Sequence, residues 1–121
     1  MGQREEAVLR AFLACQDAND LDGAMAFFAD DAVYHMIAWR KPVVGPDAIR
    51  ASLGDVRMAG NRILNIASVD SIVFVEVIDT VMHGDTEVTT HYAMVIEVGD
   101  DGKIMAERDY WDTKEMETQL R

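Results

Sequence analysis

The sequence predicts an α+β fold in which N-terminal helices pack on one face of a curved antiparallel sheet and enclose an apolar pocket. Three observations predict it. Apolar residues in the first part of the chain recur at helical spacing. From Asn61 onward the pattern becomes long runs rich in Val, Ile, Thr and aromatics. Short turn signals separate those runs, and short turns between long strands make antiparallel neighbours. The 121 residues suit one domain spanning residues 1–121. Half are hydrophobic, enough for a core without disulfides or metal.

The first helix is expected over roughly Glu5 to Asp17, with Val8, Leu9, Phe12, Leu13 and Cys15 on its apolar side. Asn19 and Asp20 end it. Asp20 can cap a second short helix running through Phe28, with Leu21, Ala24, Met25, Phe27 and Phe28 supplying its apolar side. The chain then passes into a strand near Ala32-Val33-Tyr34. Lys41-Pro42 and Gly45-Pro46 mark a turn, and Pro46 suits the first turn of a third helix that buries Ile49 and Leu53. Gly54 or Gly60 follows its end.

Four strands are predicted next, over Ile63–Asp70, Ile72–Met82, Glu87–Val98 and Ile104–Trp111. Their separators are Asp70-Ser71, His83-Gly84-Asp85 and Gly99-Asp100-Asp101-Gly102. A long twisted sheet closed by helices on one side makes a cone with an interior. From Asp112 the chain reads as a short terminal helix or tail.

Charge excludes several partners. The formal net charge is −11, and no basic stripe exists to track a phosphate backbone, so nucleic acid is not expected. An anionic membrane surface is disfavoured for the same reason. No apolar run is long enough to span a bilayer, and Gln3, Arg4, Glu5 and Glu6 do not open a secretory leader. The single cysteine, Cys15, points to a reducing, cytoplasmic setting.

Strand alternation assigns the polar residues that face the pocket. Val73, Val75, Val77, Asp79 and Val81 share one row, and four valines beside one aspartate make an improbable solvent face. Val88, Thr90, Tyr92, Met94, Ile96 and Val98 form the apolar row of the next strand. Glu107, Asp109 and Trp111 share a face of the last one. Asp79 and Asp109 are therefore candidate interior carboxylates. Buried acids near one another cannot all ionise, which raises a pKa and suits general acid–base work. The structural alternative is that each aspartate caps a turn or pairs with Arg62, Lys103 or Arg108 at a rim.

Three segments carry a family resemblance: Phe28-Ala29-Asp30-Asp31-Ala32-Val33-Tyr34, Gly45-Pro46-Asp47-Ala48-Ile49, and Gly102-Lys103-Ile104 with Arg108-Asp109-Tyr110-Trp111-Asp112. Together they resemble the nuclear transport factor two-like superfamily, a cystatin-like α+β roll, over nearly the whole chain. Within it the nearest likeness is to limonene epoxide hydrolases and SnoaL-like polyketide cyclases. The resemblance to the hydrolases implies Asp109 as general base, Asp79 as general acid and Tyr34 holding a water. It also implies departures. Val77 stands where the family has an arginine between the two acids, and Met36 where it has a water-binding asparagine. Glu107 occupies an aromatic position, and could itself be the second carboxylate. The implied activity is opening of an epoxide on an apolar substrate, by water or an internal hydroxyl. Alternatives are a SnoaL-like cyclase or isomerase that abstracts a proton next to a carbonyl, or a non-catalytic ligand-binding domain.

Met36, Trp39, Val77, Tyr92, Met94, Glu107 and Trp111 are the expected substrate-contacting residues, with Trp39 as a pocket lip or, more simply, core. His35, His83 and His91 lack metal-ligand spacing and read as surface or interface residues, so neither metal nor cofactor is implied. The eight methionines read as soft core filler, with Met36 and Met94 adaptable to a greasy ligand. Ile72, Phe74 and Ile78 form an apolar outer row, which with the resemblance implies a homodimer.

Overall fold

The computed structural model describes residues 2–55 and 57–121. Helix α1 (Gln3–Asp17) buries Leu9, Phe12 and Leu13. Asp20 caps α2 (Leu21–Met25) by accepting from the Gly23 N–H at 2.9 Å. Strand β1 (Phe28–His35) and the two-residue β2 (Val43–Val44) follow, then α3 (Pro46–Leu53) with Pro46 in its first turn. Four long strands come next: β3 (Arg57–Val69), β4 (Ile72–His83), β5 (Thr86–Val98) and β6 (Ile104–Trp111). Helix α4 (Thr113–Leu120) closes the chain.

Two boundaries differ from expectation. The second helix stops at Met25, because Phe28 is claimed by the sheet: it pairs with Ile104, whose N–H donates to the Phe27 carbonyl at 2.7 Å. Strand β3 starts at Arg57 rather than Ile63. Asn19 clamps its beginning with a reciprocal pair of bonds to the Met58 backbone, at 2.8 and 3.1 Å.

The six strands form one curved, unclosed sheet in the order β2-β1-β6-β5-β4-β3. Strands β3 to β6 are the antiparallel meander that the turn signals require. Asp70 at φ 54° and Gly84 at φ 63° supply the left-handed turn positions. The sheet is not wholly antiparallel: β1 runs parallel to β6, with Tyr34 opposite Glu107. Short turns dictate the direction of consecutive strands only. The partner of β1 lies some seventy residues on, so its direction is set by tertiary packing.

The core lies between α1, α2 and the concave face. Phe12 stacks edge-on against Phe28 at 5.3 Å, and Phe28 leans on Tyr34 at 6.5 Å. Val73, Val75 and Val77 are buried as the alternation predicts, while Phe74 on the other face is 44 % exposed. Among the described residues, no helix is long and apolar enough to cross a membrane.

Helix α4 has no buried residue, so its attachment rests on polar contacts. Thr89 of β5 pairs with Thr80 of β4, but β6 ends at Trp111 opposite Tyr92 and leaves Thr89 without a strand on its other side. The Gln119 side chain replaces that strand. It donates to the Thr89 carbonyl and accepts from the Thr89 N–H, both at 2.7 Å. Glu115 adds a contact to His91 Nδ1 at 2.8 Å. Gln119→Ala should therefore loosen α4 by about 1 kcal/mol. Faster amide exchange confined to α4 and the start of β5 is the expected readout.

Candidate active site

Strand register assembles the site. Tyr34 faces Glu107 across the β1–β6 pair, and Asp109 follows two residues on, on the same face. On the other side of β6, Ile96 stands opposite Glu107 and Met94 opposite Asp109. Beyond Asp109, the Ala38 N–H donates to the Asp109 carbonyl at 2.9 Å, and Trp111 Nε1 donates to the Met36 carbonyl at 2.8 Å. These two bonds pin the segment after β1 to the end of β6, and so hold Met36 over the cavity.

The cavity has a volume of about 290 Å³ and is lined in part by the α1–α2 turn, α3, the starts of β3 and β5, and α4. Tyr34, Asp79, Tyr92, Glu107 and Asp109 supply its polar wall, and Met36, Met94 and Trp111 contribute to the apolar one. Two predicted contacts are corrected. Trp39 is 63 % exposed and lies outside the cavity, in the irregular stretch after β1, so it is neither lip nor core. Val77 is fully buried in the core beneath the wall rather than lining it. His83, read from the sequence as a surface residue, lines the cavity. So do Ser52 and Leu53 of α3 and Met116 of α4. The sequence predicts that Leu53 faces inward, but no periodicity marks Ser52 or Met116, because only the packing of distant helices brings them to the cavity.

The alternative in which the two aspartates pair with cations at a rim is not seen among the described residues. Tyr34 donates its hydroxyl to Asp109 Oδ2 at 3.2 Å, and Tyr92 donates to Asp79 Oδ2 at 2.5 Å. Each acid thus has a phenol, not a cation. Arg108 instead pairs with Glu97 on the outer face at 2.7 Å. The immediate partner of Asp109 is Glu107: their carboxyl groups lie within hydrogen-bonding reach. Asp79 is farther away. It stands opposite Thr90, whereas Asp109 stands opposite Met94. Four residues of strand separate those levels, roughly 13 Å at about 3.3 Å per residue.

Burial governs the electrostatics. Glu107 and Asp109 are only 2 % and 7 % exposed. Loss of hydration pushes Glu107 up to about 7, with the bond to Asp109 opposing and the Asp79 charge adding. Asp109 is raised well above the usual carboxylate range, first by burial, then by the Glu107 charge. Burial also lifts Asp79 to about 6, against the Tyr92 bond. Both phenols are pushed well above their ordinary value by burial and by the neighbouring acids, so they remain donors. Near neutral pH the Glu107–Asp109 pair therefore keeps a proton between its members, giving an acid and a base side by side. Among the described residues, no group of three His, Cys, Asp or Glu side chains is arranged to hold a metal ion.

The fold has known counterparts. An LEH-like epoxide hydrolase of M. tuberculosis superposes with a TM-score of 0.84 at 27% identity, covering 97% of this chain and 89% of that one. A candidate polyketide cyclase of Xanthomonas campestris pv. campestris superposes at 0.83 with 17% identity, covering 98% of both chains. A computationally designed 17-OHP binder superposes at 0.81 with 17% identity, covering 92% of this chain and 95% of that one. At 17% identity the last two likenesses speak for the fold alone. No curated protein sequence matches the chain. The model of the SnoaL-like domain matches residues 9–107, from the first buried leucine of α1 to the buried glutamate of β6, and the chain belongs to that family.

Proposed function

We propose that this protein is an acid–base enzyme that opens the epoxide of a small apolar substrate, with water or an internal hydroxyl as nucleophile. The observation that carries this reading is the buried Glu107–Asp109 pair, with Tyr34 on Asp109, in a largely apolar cavity that, among the described residues, no lysine or arginine lines. The pair acts as one unit. Its carboxylate takes the proton of the attacking hydroxyl as the new C–O bond forms. Its carboxylic acid protonates the epoxide oxygen as the old C–O bond breaks. The proton count of the pair is unchanged at the end of the turnover. Tyr34 orients Asp109, and Met36, Met94 and Trp111 take the hydrocarbon. The 27% identity to an LEH-like epoxide hydrolase supports the same reaction class.

No cofactor enters this chemistry. The setting proposed is the cytoplasm, consistent with the one cysteine, Cys15, being free. A homodimer is proposed through the outer sheet face, where Phe74 and Tyr110 are exposed. Sedimentation of wild type against Phe74→Glu tests it, a monomeric wild type being the contrary result.

The reaction is tested with racemic terpene and styrene-type epoxides in isotopically labelled water. Labelled diol, or a cyclic ether from hydroxy-epoxides, is the expected product. An untouched panel overturns the reading. A second reading is favoured by Met36, which puts an apolar group where a water would need a partner: proton abstraction next to a carbonyl, as in a SnoaL-like cyclase or isomerase. Deuterium uptake from solvent into a ketone, without diol formation from epoxides, would select it. Ligand binding with neither activity would select a non-catalytic domain.

A further inference from the structure

We infer that the cavity is built for an apolar ligand that carries a protonated amine, and that it rejects carboxylates and phosphates. This rests on reading the cavity as the substrate site, but not on the reaction assigned to it. Three carboxyl groups line the cavity, and each keeps one buried oxygen without a hydrogen-bond partner: Asp79 Oδ1, Glu107 Oε1 and Asp109 Oδ1. Tyr34 and Tyr92 occupy the second oxygens of Asp109 and Asp79. Both phenols are therefore spent, Glu107 and Asp109 face each other, and Asp79 Oδ1 has no partner at all.

Unpaired buried acceptors are costly, and buried negative charge without a cation more so. A proton shared between Glu107 and Asp109 relieves part of that cost and leaves Asp79 untouched. Among the described residues no lysine or arginine lines the cavity, and His83 is the one basic ring there. Arg40 and Lys41 lie beyond a wall of Tyr34, Met36 and Ser52, at a neighbouring hollow of about 200 Å³. They offer no counter-charge among the causes that shift the three acids.

An ammonium group beside Asp79 supplies what is missing there, at a level four residues of strand away from Asp109. It brings a positive charge and three N–H donors. An alcohol brings one donor and no charge. A carboxylate brings only more acceptors and a repelled charge. The remaining wall, with Met36, Met94, Trp111 and Met116, accommodates a hydrocarbon body. The whole chain, at −11, draws cations toward the mouth.

Calorimetric titration of the full chain with cyclohexylmethylamine, cyclohexylmethanol and cyclohexylacetate, at about pH 8 and physiological salt, tests the inference. The amine is expected to bind roughly tenfold or more tightly than the alcohol, and the acid more weakly than either. Lowering the pH to about 5 should erase the amine's advantage as the acids take up protons. The groups that face the ligand in that range are Tyr34 from β1, Asp79 and His83 from β4, Tyr92 from β5, and Glu107 and Asp109 from β6, with Asp17 at the end of α1 acting on Asp79. Asp79→Asn should weaken the amine several-fold and the alcohol less, because the alcohol brings no charge to lose.

Equal affinity for amine and alcohol, preference for the acid, or no binding of the amine would each overturn the inference, and the wild-type comparison needs no variant. Amine selectivity without epoxide turnover would count against the proposed reaction only. Diol formation without amine selectivity would count against this inference only.

Discussion

Asp109→Asn should lower kcat/KM on an accepted epoxide by about 10²–10⁴-fold, with no loss of thermal stability. Asp109 is half of the proton-sharing pair, so the amide removes both the group that receives a proton and the partner that keeps Glu107's proton in place. The shape is preserved, because an amide oxygen can still accept from the Tyr34 hydroxyl that now sits at 3.2 Å from Oδ2. Stability should hold because Asp109 is nearly fully buried and its ionised form is disfavoured there. Steady-state product formation and a circular-dichroism melt, run on the same preparation, separate the two effects. Wild-type turnover by the variant would remove Asp109 from the mechanism. Tyr34→Phe should cost less, since that hydroxyl positions the acid rather than exchanging a proton with substrate.

Glu107→Gln should stabilise the protein increasingly as pH rises, by up to about 3 kcal/mol at one pH unit per 1.4 kcal/mol. The sign follows from linkage. Glu107 titrates at about 7 in the folded chain against an ordinary 4.5. Between those values the folded state holds a proton that the unfolded state has lost, so wild-type stability falls as pH climbs through that window. Glutamine cannot ionise and escapes the penalty. The two proteins should therefore melt alike near about pH 4 and diverge by several degrees above about pH 7. Glu107 also raises Asp109, through its charge and its hydrogen bond, so the variant should shift the acid limb of any surviving activity to lower pH. Melts that stay parallel across the pH range would mean that Glu107 is not held neutral by burial.

The helices, the four-strand meander and the inward rows were legible in the sequence because each is a local property. Leu9, Phe12 and Leu13 recur at helical spacing, and Val73, Val75 and Val77 alternate, whatever the rest of the chain does. The candidate acids were legible for the same reason: parity alone puts Asp79, Glu107 and Asp109 on the concave side. Their grouping was not. Asp79 and Asp109 look equivalent in the sequence, but the β4–β5 and β5–β6 registers set them at different levels and leave Glu107 as the nearer partner. Trp39 was misplaced because periodicity lapses once β1 has ended, and an irregular stretch gives no parity to read.

By itself, then, the sequence determined which residues turn inward, since side-chain direction follows from backbone period. Only the tertiary structure decided which of them meet. The parallel pairing of β1 with β6 carries Tyr34 to Glu107 and Asp109, and the docking of α3 and α4 brings Ser52 and Met116 to the mouth. Those contacts join segments far apart in the chain, and no local pattern fixes a register between strands that a turn does not connect.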